Sequence, residues 1–109
     1  YHNDLKRGCL RVPARTLTRF GAVSEQTAKA MAIGVRELAG ADLGLSITGI
    51  AGPTGGTPKK PVGLVCFGLA DRRHARSLRC QFVGDRASVK VQASQTALDW
   101  LRRSLADTH

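Results

Sequence analysis

Apolar positions along the chain fall into five patterned stretches, separated by glycine, proline and charge. From Val23 to Ala39 they recur at intervals of three and four, so that Ala28, Met31, Ala32, Val35, Leu38 and Ala39 share one face of a helix. Ser24 supplies an N-cap, Glu25 puts a carboxylate in the first turn, and Gly40 follows the last turn. That face is made mostly of small side chains, which suits close packing on a sheet. Leu43 to Gly49 alternates instead, with Leu43, Leu45 and Ile47 on one side and Gly44, Ser46 and Thr48 on the other. It reads as a strand whose small-residue side admits a helix or a ligand. Val62 to Ala70 is almost continuously apolar, as expected of an interior strand covered on both faces. Asp71-Arg72-Arg73-His74 is a polar turn, after which Ala75 to Val83 alternates with Leu78, Cys80 and Phe82 inward. The short connection predicts antiparallel pairing with the preceding strand. Gly84-Asp85-Arg86 opens a final helix with Asp85 as N-cap, and Val89, Ala93, Ala97, Leu101 and Leu105 advance four at a time beside Trp100. Tyr1 to Phe20 is patterned more weakly and reads as a strand end or loop followed by a turn around Pro13.

Helices alternating with strands in this order imply an α/β fold, a mixed sheet flanked by helices. The 109 residues fit one domain spanning 1–109, and 42% apolar with 23% charged residues is an ordinary globular composition. No apolar run approaches the ~18 residues that a membrane-spanning helix needs. The chain opens on Tyr1 and enters patterned sequence directly, which reads as a piece whose N-terminal portion is missing. Cys9, Cys66 and Cys80 are odd in number, far apart and without CxxC spacing, so neither a zinc site nor a redox pair is expected. Reduced cysteines of this kind suit a cytoplasmic protein. His2, His74 and His109 show no ligand spacing, and no cofactor or metal is expected. The net charge of +9 comes largely from arginines scattered over the whole length. Scattered charge with few interleaved aromatics describes a solvated surface better than a nucleic-acid footprint.

Candidate chemistry concentrates in the loop from Thr48 to Gly63. It leaves one apolar run, crosses Gly49, Gly52, Gly55 and Gly56 with Pro53, Pro58 and Pro61 around them, and enters another. The bland reading is a tight connection between neighbouring strands. The functional reading is a set of backbone N–H donors, with the Thr48 hydroxyl, facing an anion or a developing oxyanion. Neither GxxxxGK[ST] nor a GxGxxG leading into a helix is present. Gly84-Asp85-Arg86 reads as a helix cap with a solvated arginine, or as a phosphate site where free amides meet a guanidinium. Lys6 by itself is a surface lysine; a lysine acts as general base only where its surroundings lower its pKa.

Five blocks in one order carry more. They are Tyr1-His2-Asn3-x-x-Lys6, Gly21 to Ala32, Thr48-Gly49-Ile50-Ala51-Gly52-Pro53-x-Gly55-Gly56-Thr57, Lys60-Pro61-Val62-Gly63 and Gly84-Asp85-Arg86. Together they resemble the C-terminal domain of the CinA family, the competence/damage-inducible proteins, from Tyr1 to about Leu105. The domain also occurs alone in bacteria as nicotinamide mononucleotide deamidase. The resemblance implies a three-layer α/β/α fold around a mixed sheet of about five strands. It implies hydrolysis of nicotinamide mononucleotide to nicotinic acid mononucleotide and ammonia, a step of pyridine nucleotide salvage, by a metal-free Ser-Lys mechanism. Lys6 matches the activating lysine and Tyr1 the assisting tyrosine. Thr48 matches an active-site threonine, with Gly49 and Gly52 as oxyanion or substrate contacts, and Arg86 matches an arginine of the substrate pocket. The family's nucleophilic serine lies ahead of the tyrosine motif, and Ser24, Ser46, Ser77, Ser88, Ser94 and Ser104 match no nucleophile. The implied partner is a small nucleotide substrate, without membrane or nucleic acid, and a homo-oligomer suits a chain of this size. The alternative is a non-catalytic nucleotide- or partner-binding module of the same fold.

Overall fold

A computed structural model describes residues 12–107. Its elements run α1 (Ala14–Phe20), α2 (Glu25–Ala39), β1 (Gly44–Gly49), β2 (Leu64–Ala70), β3 (Ala75–Gln81) and α3 (Arg86–Asp107). The five patterned stretches all form the element expected of them, with ends trimmed by caps and turns. The stretch around Pro13 is a correction: it starts a helix rather than making a turn. The Pro13 carbonyl accepts from Thr16 and Leu17, and Gly21 closes α1 at φ +80°. None of its residues is buried, so α1 has no apolar stripe to betray it in the sequence.

The sheet order is β1-β2-β3, with Gly44 opposite Ala70 and Gly49 opposite Val65 in one pair, and Leu64 opposite Gln81 in the other. Both pairings are antiparallel, so among the described residues the sheet has three antiparallel strands where a mixed sheet of about five was expected. Every residue of β2 is buried, because a helix covers each face. Alternation along β2 sends Val65 and Phe67 toward Val89, Ala93 and Ala97 of α3, while Leu64 and Cys66 face Ala28 of α2. The result is α/β/α layering. On the α3 side, Phe67 meets Phe82 and Trp100 edge-on at 6.4 Å between ring centroids, a favourable aromatic geometry.

On the other face α2 lies against the backbone of the sheet. A Cβ on Gly44 would strike the Ala32 carbonyl, and one on Gly68 would strike the Ala28 carbonyl. The Ser46 hydroxyl donates to that same Ala28 oxygen. The small side of β1 thus receives a helix. Ser24 caps α2 by accepting from the Thr27 amide at 3.0 Å, and Gly40 ends it in the left-handed conformation.

Two expected core stripes are corrected. In α2 the buried set is Thr27, Ala28, Met31, Ala32 and Gly34, whereas Val35 and Leu38 are 41% and 57% exposed. Gly44 at the start of β1 already lies against Arg36, so the last turn of α2 has run past the sheet. In α3, steps of four residues drift by about 40° each on a helix of 3.6 residues per turn. The buried line therefore leaves Leu101 and Leu105 and ends on Ser104, which is 6% exposed.

Candidate functional site

The end of β1 and the first turns of α3 bound a cavity of about 470 Å³. Ala22, Val23 and Met31 close it from the α2 side, Thr48 and Gly49 from β1, and Val65 from the floor. Arg86, Val89, Lys90 and Ala93 face it from α3, one helical stripe at intervals of three and four. Most of this lining is apolar, and among the described residues two cations but no acidic side chain belong to it.

Thr48 reaches the cavity through the alternation of β1. Its Oγ1 donates to the Ala22 carbonyl at 2.9 Å, tying the strand to the turn that precedes α2. A carbonyl only accepts, so the hydroxyl proton is committed and the oxygen turns toward the cavity as an acceptor. Gly49 contributes main chain. The Ile50 amide donates to the Leu64 carbonyl at 2.9 Å, which fixes the parity of the ladder. By that parity the Gly49 N–H and C=O point away from β2. A side chain at Gly49 would press on Val65 and on the Leu64 carbonyl.

Arg86 stands at the first position of α3, where Asp85 caps the helix by accepting from the Ser88 amide at 2.8 Å. Its Nη1 donates to the Gly52 carbonyl at 3.2 Å, so the guanidinium and the glycine loop hold each other. Gly52 is buried at φ +85°, and a Cβ there would lie 2.5 Å from a Val62 methyl, so only glycine fits.

The glycine loop itself is mostly a connection between adjacent antiparallel strands. Thr57 and Lys60 bond each other across its turn, and Gly63 donates to the Ile50 carbonyl at 2.6 Å. Residues 53–59 are exposed and do not line the cavity. From the segment Thr48 to Gly63 only Thr48, Gly49 and Ala51 do, with Gly52 engaged through Arg86. Lys60 anchors the loop by donating from Nζ to the Phe20 carbonyl at the end of α1.

The match to known proteins covers nearly the whole chain. A family model described as the CinA C-terminal domain fits residues 1–105. The chain belongs to the CinA C-terminal domain family. It is 54% identical over 105 residues to a CinA-like protein of Citrifermentans bemidjiense, covering 96% of this chain and 25% of that protein. A CinA-like protein of Kosmotoga olearia is 52% identical over 105 residues, with 96% and 26% covered. The chain thus spans about a quarter of the length of these relatives. Among solved structures, a competence-damaged protein (CinA) superfamily member from Klebsiella pneumoniae superposes with a TM-score of 0.87 at 38% identity, over 98% of this chain and 67% of that one. The competence/damage inducible protein CihA from Agrobacterium tumefaciens gives 0.85 at 40% identity, over 94% and 64%.

In this CinA domain, Thr48, Gly49 and Arg86 line one cavity, and Gly52 is bonded to Arg86. Tyr1 and Lys6 lie outside the described residues. Reading the sequence alone missed three participants. Lys90 was legible as the residue one turn beyond Arg86 on the same helical face. Ala22 and Lys60 stand in blocks that carry the family resemblance, but the Ala22 carbonyl's bond to Thr48 and the Lys60 tether to Phe20 do not show in the sequence, because each joins distant segments. Among the described residues no three His, Cys, Asp or Glu side chains cluster as metal ligands. Cys66 is sealed beneath α2, and burial pushes its thiol pKa up, with the Arg79 charge opposing weakly. It is packing, not a nucleophile facing the cavity.

Proposed function

We propose that the full-length protein hydrolyses the carboxamide of nicotinamide mononucleotide, giving nicotinic acid mononucleotide and ammonia. The observation that carries this reading is the convergence of Thr48, Gly49 and Arg86 on one largely apolar cavity whose charged lining, among the described residues, is cationic. An apolar wall accepts a pyridine ring, and a positive rim suits a phosphate.

In this reading Lys6, uncharged, takes the proton of a serine hydroxyl ahead of Tyr1, and the oxygen attacks the amide carbon. Tyr1 orients the pair. The carbonyl π electrons move onto oxygen, where the outward Gly49 N–H donates to the negative charge. The tetrahedral species collapses, the C–N bond breaks, and the lysine returns its proton to the departing ammonia. Water, deprotonated by the same amine, then releases the acid from the serine ester. Thr48 accepts a hydrogen bond from the substrate amide N–H₂, since its own proton is engaged by Ala22. Arg86, braced on Gly52, holds the substrate's anionic end. The test is ammonia release from nicotinamide mononucleotide by the full-length protein and by its Lys6→Ala variant. Loss of a positioned base costs about 10²–10⁴-fold. Equal rates would remove Lys6 from the chemistry, and binding without ammonia would leave a nucleotide-binding module.

A further inference from the structure

The two cations that line the cavity among the described residues differ in what already occupies them. Arg86 is spent in part on the Gly52 carbonyl. Lys90 lines the same cavity one helical turn further, with no hydrogen-bond or salt-bridge partner among the described residues. Among the described residues no acidic side chain lines the cavity, and the acids of α3 are elsewhere: Asp99 is held by Arg102 and Arg103 more than two turns away, and Asp107 stands at the far end of the helix. Asp85 is committed to capping Ser88. Nothing described in or beside the cavity neutralises the Lys90 ammonium. A cation left in this position, over a partly apolar cavity, gains most from a compact anion of more than one charge, because two positive groups can share it.

We propose that Lys90 is the residue that makes this cavity selective for a phosphomonoester, holding the phosphate of a sugar 5-phosphate together with Arg86. The assignment rests on the nucleotide reading above for its setting, but its own content is the anion. Arg86 supplies a planar, anchored fork and Lys90 a mobile point charge. Four residues apart on α3, they address two oxygens of one phosphate. A nucleoside lacking the phosphate gains nothing from Lys90. Lys90 is therefore a positioning and specificity residue, without a role in bond cleavage.

Ribose 5-phosphate tests this directly, since it carries the phosphate and has no amide to hydrolyse. Calorimetric titration of the full-length protein is compared with its Lys90→Gln and Lys90→Arg variants, with thermal melts confirming that all are folded. The expected result is a Kd raised about tenfold in Lys90→Gln and brought back to within about threefold in Lys90→Arg. The gap between wild type and Lys90→Gln narrows as salt is raised, because a charge contact at a partly open site is screened. In parallel, the KM for nicotinamide mononucleotide rises in Lys90→Gln with kcat nearly constant. Equal Kd values for wild type and Lys90→Gln, or no binding of ribose 5-phosphate to wild type, overturn the proposal. A fall in kcat at constant KM overturns it as well. Lys90-dependent binding without any ammonia release refutes the deamidase reading and leaves the phosphate site standing.

Discussion

Gly68→Ala tests how closely α2 lies on the sheet, the contact that places Val23 and Met31 at the cavity. A methyl group at position 68 falls on the carbonyl of Ala28 and 2.7 Å from the Ser46 hydroxyl. The obstacles are helix backbone and a short buried side chain, so no flexible end can swing aside. Either α2 lifts or β2 shifts. Overpacking of this kind costs about 1–3 kcal/mol. Moving Ser46 off the Ala28 carbonyl leaves a buried hydroxyl without its partner, another ~1–3 kcal/mol. Replacing glycine in a strand recovers about 0.5–1 kcal/mol of chain entropy. The net is a loss of about 1–5.5 kcal/mol, centred near 3, which at the centre is a fall in Tm of roughly 12–24 °C for a domain of this size. Gly40→Ala is the control. Gly40 also needs to be glycine, at φ +64°, but nothing lies within 4 Å of a Cβ there, so its cost is conformational strain alone, about 1 kcal/mol. Urea unfolding followed by circular dichroism and Trp100 fluorescence separates the two. A Gly68→Ala variant as mild as Gly40→Ala would refute the direct helix-to-sheet contact.

Two further outcomes follow from the site and the core. Thr48→Val keeps the shape and removes the hydroxyl, so kcat/KM for the mononucleotide falls about tenfold while Thr48→Ser stays close to wild type; unchanged kinetics in Thr48→Val would exclude the hydroxyl as a substrate contact. Burial raises the pKa of Cys66 and of Cys80, so folding favours their protonated forms. That contribution is whole below the ordinary thiol pKa of about 8.5 and drains away as pH climbs from there through the raised values. The urea midpoint therefore falls more steeply above about pH 9 in wild type than in Cys66→Ala, and parallel curves would count against burial of this thiol.

The sequence by itself determined the elements wherever a strong period coincided with a terminator. Ser24 and Gly40 bound α2, Asp85 starts α3, and the unbroken apolar run of β2 announced a strand covered on both faces. It also carried the family through Thr48 to Gly63, a segment whose glycines answer to backbone demands that can be read locally. Tertiary structure decided what periodicity cannot express. Which part of a helical stripe is buried depends on where the sheet stops, and so Leu38 and Leu105 are exposed while Ser104 is enclosed. The helix α1 has no buried face to give it a pattern. The cavity is assembled from β1, β2, α2 and α3, and its hydrogen bonds, Thr48 to Ala22 and Arg86 to Gly52, join residues 26 and 34 positions apart. Local propensity acts over a turn or two of chain; a site made by packing distant segments has its geometry set only when those segments meet.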